Sequence, residues 1–169
     1  MQISMYDTLV PTADRMLGNL SVILDKAAAY AEQKDFDPSI LLNARLAPNM
    51  FPFTRQIQIA TDMVSRGAAR LSGNEVTSSK DAETTFAELK ARIARVREYV
   101  NAIPAEKFDG AEDRQITIQT GTRGQLTFDG LGYLRDFVLP NLYFHVTTAY
   151  DILRHNGVAL GKKDFVGER

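Results

Sequence analysis

The sequence predicts a mainly α fold: a four-helix bundle with a small β-hairpin inserted between the third and fourth helices, in a single domain spanning residues 1–169. Three observations predict it. Four stretches carry apolar residues at alternating spacings of three and four, the repeat of one helix face. One stretch, 115–128, switches to alternation with period two, the repeat of a half-buried strand. The composition, 44% hydrophobic and 24% charged over 169 residues, is that of an ordinary globular chain long enough to bury one sizeable core.

The first helix is expected over 5–34. Leu17, Leu20, Leu24, Ala27, Ala28 and Ala31 make its apolar stripe, and Ser4 with Asp7 forms a capping start. Pro11 lacks a donor and is expected to kink or divide the first turns. A connection over 34–48 holds Asp37-Pro38, an N-cap followed by proline at the first helical position, so 39–43 reads as a short helical turn.

The second helix begins between Asn49 and Pro52 and runs to Leu71, closed by Gly73. Phe53, Ile57, Ala60, Val64 and Leu71 form its stripe. Gln56 lies about 60° to one side of Phe53, still on the buried half, and Asn49 projects on the same side about two turns earlier. A polar loop over 74–84 follows. Thr85 and Glu88 then form a capping box, and Phe86, Leu89, Ile93, Val96, Val100 and Ile103 carry the third helix over 85–103. Lys90, Arg92, Arg95 and Arg97 fall off that stripe and read as a solvated face.

Ile116-Thr-Ile118 and Gln125-Leu-Thr-Phe128 alternate around Gly121-Thr122-Arg123-Gly124, the pattern of a hairpin. An isolated hairpin is marginal, so this one must pack on the bundle or on a second subunit. The tail, 158–169, is expected to be ordered only if Phe165 docks.

The chain is organised around the stretch 136–162. Leu131, Leu134, Val138, Asn141, His145, Ala149 and Ile152 fall within roughly 40° of one line along a helix. Asn141 and His145 therefore sit at the centre of an apolar stripe, one turn apart. Pro140 is expected to bend this helix, and Gly157 to cap it. Tyr143, Thr147, Tyr150 and Arg154 face the other way, as surface or as a partner interface. An unsatisfied buried polar group costs about 1–3 kcal/mol. Asn141 and His145 must therefore either bond each other, a backbone carbonyl or a water, or line a cavity that holds a metal or a ligand.

Several function classes are excluded on composition. A net charge of −1 gives no electrostatic footprint for nucleic acid or an anionic membrane. With no cysteine there are no disulfides, thiolate metal sites or cysteine nucleophiles. No apolar run approaches about 18 residues, and no basic segment followed by an apolar one opens the chain, so a cytoplasmic location is expected. The two histidines, His145 and His155, are separated along a helix by about 15 Å of rise and cannot share one ion. Phosphate-binding glycine motifs, a nucleophile elbow and Glu-x-x-His pairs are absent. His145 retains the chemistry of a general acid or base.

Two phrases carry a family resemblance: LAPNMFPFTRQIQIATD over 46–62 and LPNLYFHVTTAYDILRHNGVALGKKDF over 139–165. With the Thr85-Phe86-x-Glu88-Leu89 helix start and the hairpin, they resemble the bacterial family called domain of unknown function 1993 along essentially the whole chain. That family looks like a branch of the DinB/YfiT-like superfamily of putative metal-dependent proteins. The resemblance implies a DinB-like four-helix bundle, arranged up-down-down-up and often dimeric. Superfamily members with metal use three histidines, one from the second helix and an H-x-x-x-H pair on the fourth. Here the pair matches as Asn141-x-x-x-His145, and the second helix has no histidine, so two of three ligands are missing.

The reading that follows is a small-molecule-binding or interaction module with a degenerate metal site centred on His145, its pocket made by Asn49, Gln56, Asn141 and His145. The alternative is a metal-dependent enzyme of hydrolase or thiol-transferase type with zinc or nickel on His145. A homodimer is expected, with a small-molecule ligand and neither nucleic acid nor membrane as partner.

Overall fold

The computed structural model describes residues 4–121 and 124–167. Helix α1 spans Met5–Gln33, capped by the Ser4 hydroxyl, which accepts from the Asp7 amide. Pro11 lies inside it, and the helix is not divided there. The loss of one donor in the second turn is outweighed by burial of Leu9, Val10, Ala13 and Leu17 around it. The short α2 spans Ser39–Leu42. Helix α3 spans Phe53–Ser72 and ends at Gly73, whose φ of 72° is the left-handed conformation a helix C-terminus favours. Helix α4 spans Phe86–Asn101, with the Thr85/Glu88 capping box in place. Strands β1, Ile116–Thr120, and β2, Gly124–Phe128, pair antiparallel with Ile118 opposite Leu126. Thr122 and Arg123, the centre of the expected turn, lie outside the described residues. A short α5, Gly130–Gly132, enters a π-helical turn, Tyr133–Val138, which continues as α6, Leu139–His155. A final short helix, α7, spans Lys162–Val166.

The four long elements enclose one core, in which Leu17, Leu24, Phe53, Ile57, Leu89 and Ile152 are all without solvent contact. Helix α6 packs chiefly on α3, and α1 on α4. The mainly helical bundle with a late hairpin is thus the architecture the periodicities predict. The hairpin packs on its own chain: Ile116 and Ile118 are buried, and the Phe128 ring meets Tyr133 and Phe137 at 5.9 and 5.8 Å between centroids. The tail docks as well. Asn19 donates to the Phe165 carbonyl at 2.9 Å, Lys26 pairs with Asp164 at 2.6 Å, and the Phe165 ring stands edge-on to Tyr150. Part of the outer face of α6, read as surface or interface, is therefore covered from within the chain.

Two expectations fail, each for a local reason. Leu131 was placed on the buried stripe, yet it is 47% exposed. The π turn explains it. The Leu139 amide reaches back five residues to the Leu134 carbonyl, so this turn holds about one extra residue, and everything before it rotates by roughly 100°. Arg92 was placed on a solvated face, yet it is only 1% exposed. It sits at the edge of the α4 stripe, where the facing α3 supplies Thr61 and Asp62 to satisfy it. Of the other basic residues in that run, Arg95 stays at the surface. Arg97 is held by Asp14 through two bonds of 2.8 and 3.1 Å, and Lys90 pairs with Asp25.

Candidate functional site

The site lies where the first turns of α3 face the first turns of α6. Gln56 stands one turn into α3, 2% exposed, and His145 stands in the second turn of α6, 8% exposed. The two meet directly: His145 Nδ1 lies 2.7 Å from Gln56 Oε1. The orientation of the amide is set from its other end, because Gln56 Nε2 donates to the Phe51 carbonyl at 3.0 Å. A carbonyl can only accept, so the NH2 group faces Phe51 and the oxygen faces the imidazole. The Nδ1 atom must then carry the proton, and Nε2 is left with the lone pair.

Among the described residues Nε2 has no hydrogen-bond partner, and no fully buried side-chain nitrogen or oxygen lacks one. The residual exposure of His145 therefore includes Nε2. The ring is held neutral. Burial lowers its pKa from 6.5 to about 4, and the positive charge of Arg55 adds to the effect. The Phe144 ring stands edge-on to the imidazole, centroids 5.1 Å apart and planes at 87°, while remaining 58% exposed.

The other two expected pocket residues are placed differently. Asn141 is half-buried, and its amide donates to the Phe137 carbonyl at 2.7 Å, one turn back in its own helix, rather than to His145. Asn49 lies exposed in the turn before α3. Of the four candidates, the structure brings Gln56 and His145 together and leaves Asn49 and Asn141 outside the pair.

An open cleft of about 510 Å³ runs between Phe51, Arg55 and Gln58 on one side and the strap carrying Asp81, Glu83 and Thr84 on the other, and neither Gln56 nor His145 lines it. Arg55, Gln58, Asp81 and Glu83 in its wall belong to an ionic network that sequence reasoning missed. Arg92 donates through Nε to Thr61 Oγ1 at 2.7 Å, through one terminal nitrogen to Asp62 at 2.6 Å, and through the other to Glu83 at 3.2 Å. Gln58 links Glu83, at 3.0 Å, to Arg55, at 3.2 Å, and Arg55 also pairs with Asp81. The signal for this network lay in α3. Thr61 falls one turn after Ile57, on the buried half, and a buried hydroxyl and carboxylate side by side need a donor from the facing helix.

The metal implied by the superfamily resemblance is tested by the donors present. Among the described residues no three His, Cys, Asp or Glu side chains are grouped to hold an ion. The Gln56 amide is spent on Phe51 and His145, and the Asn141 amide nitrogen on Phe137. What remains is one imidazole nitrogen and the weak, neutral amide oxygen of Asn141, where a catalytic zinc keeps three protein ligands. A divalent transition metal does not fit this donor set.

Comparisons with known proteins agree with the fold. The family model described as Domain of unknown function (DUF1993) matches residues 5–166. A solved structure, described as the crystal structure of a DinB family member protein from Shewanella denitrificans, is 45% identical to this chain. The two superpose with a TM-score of 0.89, covering 97% of this chain and 92% of that one. No curated protein matches. No helix among the described residues is long and apolar enough to cross a membrane.

Proposed function

The chain belongs to the DUF1993 family, and from that premise we propose that it is a small-molecule-binding module whose ancestral metal position is reduced to a single histidine, His145. One observation carries the reading. His145 is a neutral imidazole fixed in tautomer by Gln56, and its remaining lone pair has no partner among the described residues. A histidine serving only to satisfy the core would pair both ring nitrogens with groups of the protein. Here one nitrogen is pinned and the other is kept within reach of solvent, and an exposed aromatic ring stands against the imidazole. That arrangement suits reversible recognition of a ligand at Nε2.

Elemental analysis by plasma mass spectrometry on untagged, chelator-free protein tests this reading. The expected result is no divalent metal near one equivalent. A stoichiometric ion that disappears in His145→Ala would overturn it in favour of a metal-dependent enzyme.

A further inference from the structure

Resting on that reading of the site, we propose that the ligand taken at His145 is an uncharged hydroxyl donor carried on a flat apolar ring, a phenol in its simplest form. The donor requirement follows from the hydrogen-bond chain. The Phe51 carbonyl fixes the Gln56 amide, Gln56 Oε1 fixes the proton on His145 Nδ1, and Nε2 is an acceptor only. A ligand atom that itself only accepts meets a lone pair there and gains nothing.

The requirement for neutrality follows from the charges around the ring. Arg55 is the charged group that acts on the imidazole, and it opposes positive charge. An ammonium or metal ion at Nε2 meets that same field. A carboxylate fares no better. It brings no proton to Nε2, and the Arg55 guanidinium is already occupied by Asp81 and Gln58. The Asp81 carboxylate paired with Arg55 adds like charge.

The ring requirement follows from what is left uncovered. Phe144, edge-on to the imidazole, is 58% exposed, and Phe51, whose carbonyl anchors the chain, is 56% exposed. Large aromatic side chains dominate the energetics of recognition, and a ring laid against Phe144 with its hydroxyl at Nε2 would bury apolar surface and complete the hydrogen bond together.

The experiment uses the full chain, uniformly labelled with nitrogen-15. Its two histidines, His145 buried and His155 exposed, give separate ring-nitrogen signals, so His155 serves as an internal control. Phenol, anisole and benzoate are titrated in parallel. Phenol is expected to move the His145 Nε2 resonance saturably, with millimolar affinity. Anisole, the same ring with the donor proton replaced by methyl, should bind at least about tenfold more weakly, because it leaves Nε2 without a donor. Benzoate should not move it. Phe144→Ala, at an exposed position, should weaken phenol by about fivefold or more with the melting temperature unchanged. Anisole or benzoate binding at His145 as tightly as phenol would overturn the donor requirement. No response of His145 to any of the three would overturn the ligand class. The site reading itself fails by a different observation, a stoichiometric metal on His145.

Discussion

His145 and Gln56 are each ordinary polar side chains, and neither has a function alone. Together they convert a histidine near neutrality into a fixed acceptor. The backbone end of this hydrogen-bond chain matters as much as the side chains, since it is the Phe51 carbonyl that decides which atom of Gln56 faces the ring. The folded state holds the imidazole neutral down to about pH 4, whereas the unfolded chain protonates near 6.5. Between these values the unfolded state binds more protons, so stability rises with pH through this window and is complete above it. A displacement from 6.5 to about 4 corresponds to about 3 kcal/mol at most, and the solvent reaching Nε2 trims this to about 2 kcal/mol. Urea melts at pH 4.0 and 7.0 should therefore differ by about that amount in wild type, after comparison with His145→Gln, which lacks the titrating ring. An equal pH dependence in the variant would refute a neutral buried histidine. The burial of this pair was legible in the sequence, because the spacing of Asn141, His145 and Gln56 against their apolar neighbours places all three on inward faces. The partners were not. Asn141 turns to its own helix because the carbonyl of Phe137 lies one turn behind it, and a side-chain amide that can close such a local bond need not reach across the bundle.

At the scale of elements, the π turn ahead of α6 is the device that aims His145. Turns of this type place about one extra residue in the helix and often accompany functional sites. Its neighbour across the bundle is Gly67 of α3, where a Cβ would lie 2.9 Å from Val138 Cγ1 and 3.0 Å from Cγ2. Glycine there lets α3 approach the wide turn closely. Alanine would gain up to about 1 kcal/mol of helix propensity. It would also force a branched side chain apart in a packed interior, which costs about 1–3 kcal/mol. The clash is on backbone-near carbons of Val138 rather than on a flexible tip, so it should win. Gly67→Ala is expected to lower the stability by about 1–2 kcal/mol, and Gly67→Ala with Val138→Ala to behave better than the sum of the two single changes. Strict additivity in a denaturant double-mutant cycle would show that the two do not touch in this way. The helix existence, the hairpin and both capping devices could be read from periodicity and cap residues. The π turn could not, since i to i−5 bonding leaves no mark on apolar spacing, and Leu131 was placed on the wrong face for that reason alone.

For the whole molecule, one buried guanidinium holds three segments together. Arg92 comes from α4, Thr61 and Asp62 from α3, and Asp81 and Glu83 from the strap between those helices. Arg92 could not be placed from its own helix, because a residue at the edge of an apolar stripe is decided by what faces it, and that lies thirty residues away in sequence. Replacing it by methionine keeps much of the volume and removes the charge, leaving Asp62 with Arg66 alone and Glu83 with Gln58 and the more distant Arg95. Breaking a buried pair in this way costs about 3–5 kcal/mol, a large fraction of the 5–15 kcal/mol typical of a whole domain. The loss should not be spread evenly. The core seam of α1 with α4 does not involve Arg92, whereas residues 80–84 have little apolar burial of their own and are tied down by it. Arg92→Met is therefore expected to speed amide hydrogen exchange over 80–84 well beyond the change in α1, while the fold persists and the His145 ring signals survive. Adding Asp62→Leu, which removes the α3 carboxylate that has lost Arg92, should recover part of the stability without restoring protection of the strap, because Glu83 and the Lys80 carbonyl still lack the Arg92 donor. Uniform acceleration of exchange across α1, α3 and α4 would mean instead that Arg92 supports the bundle as a whole, and that the strap is not separately held.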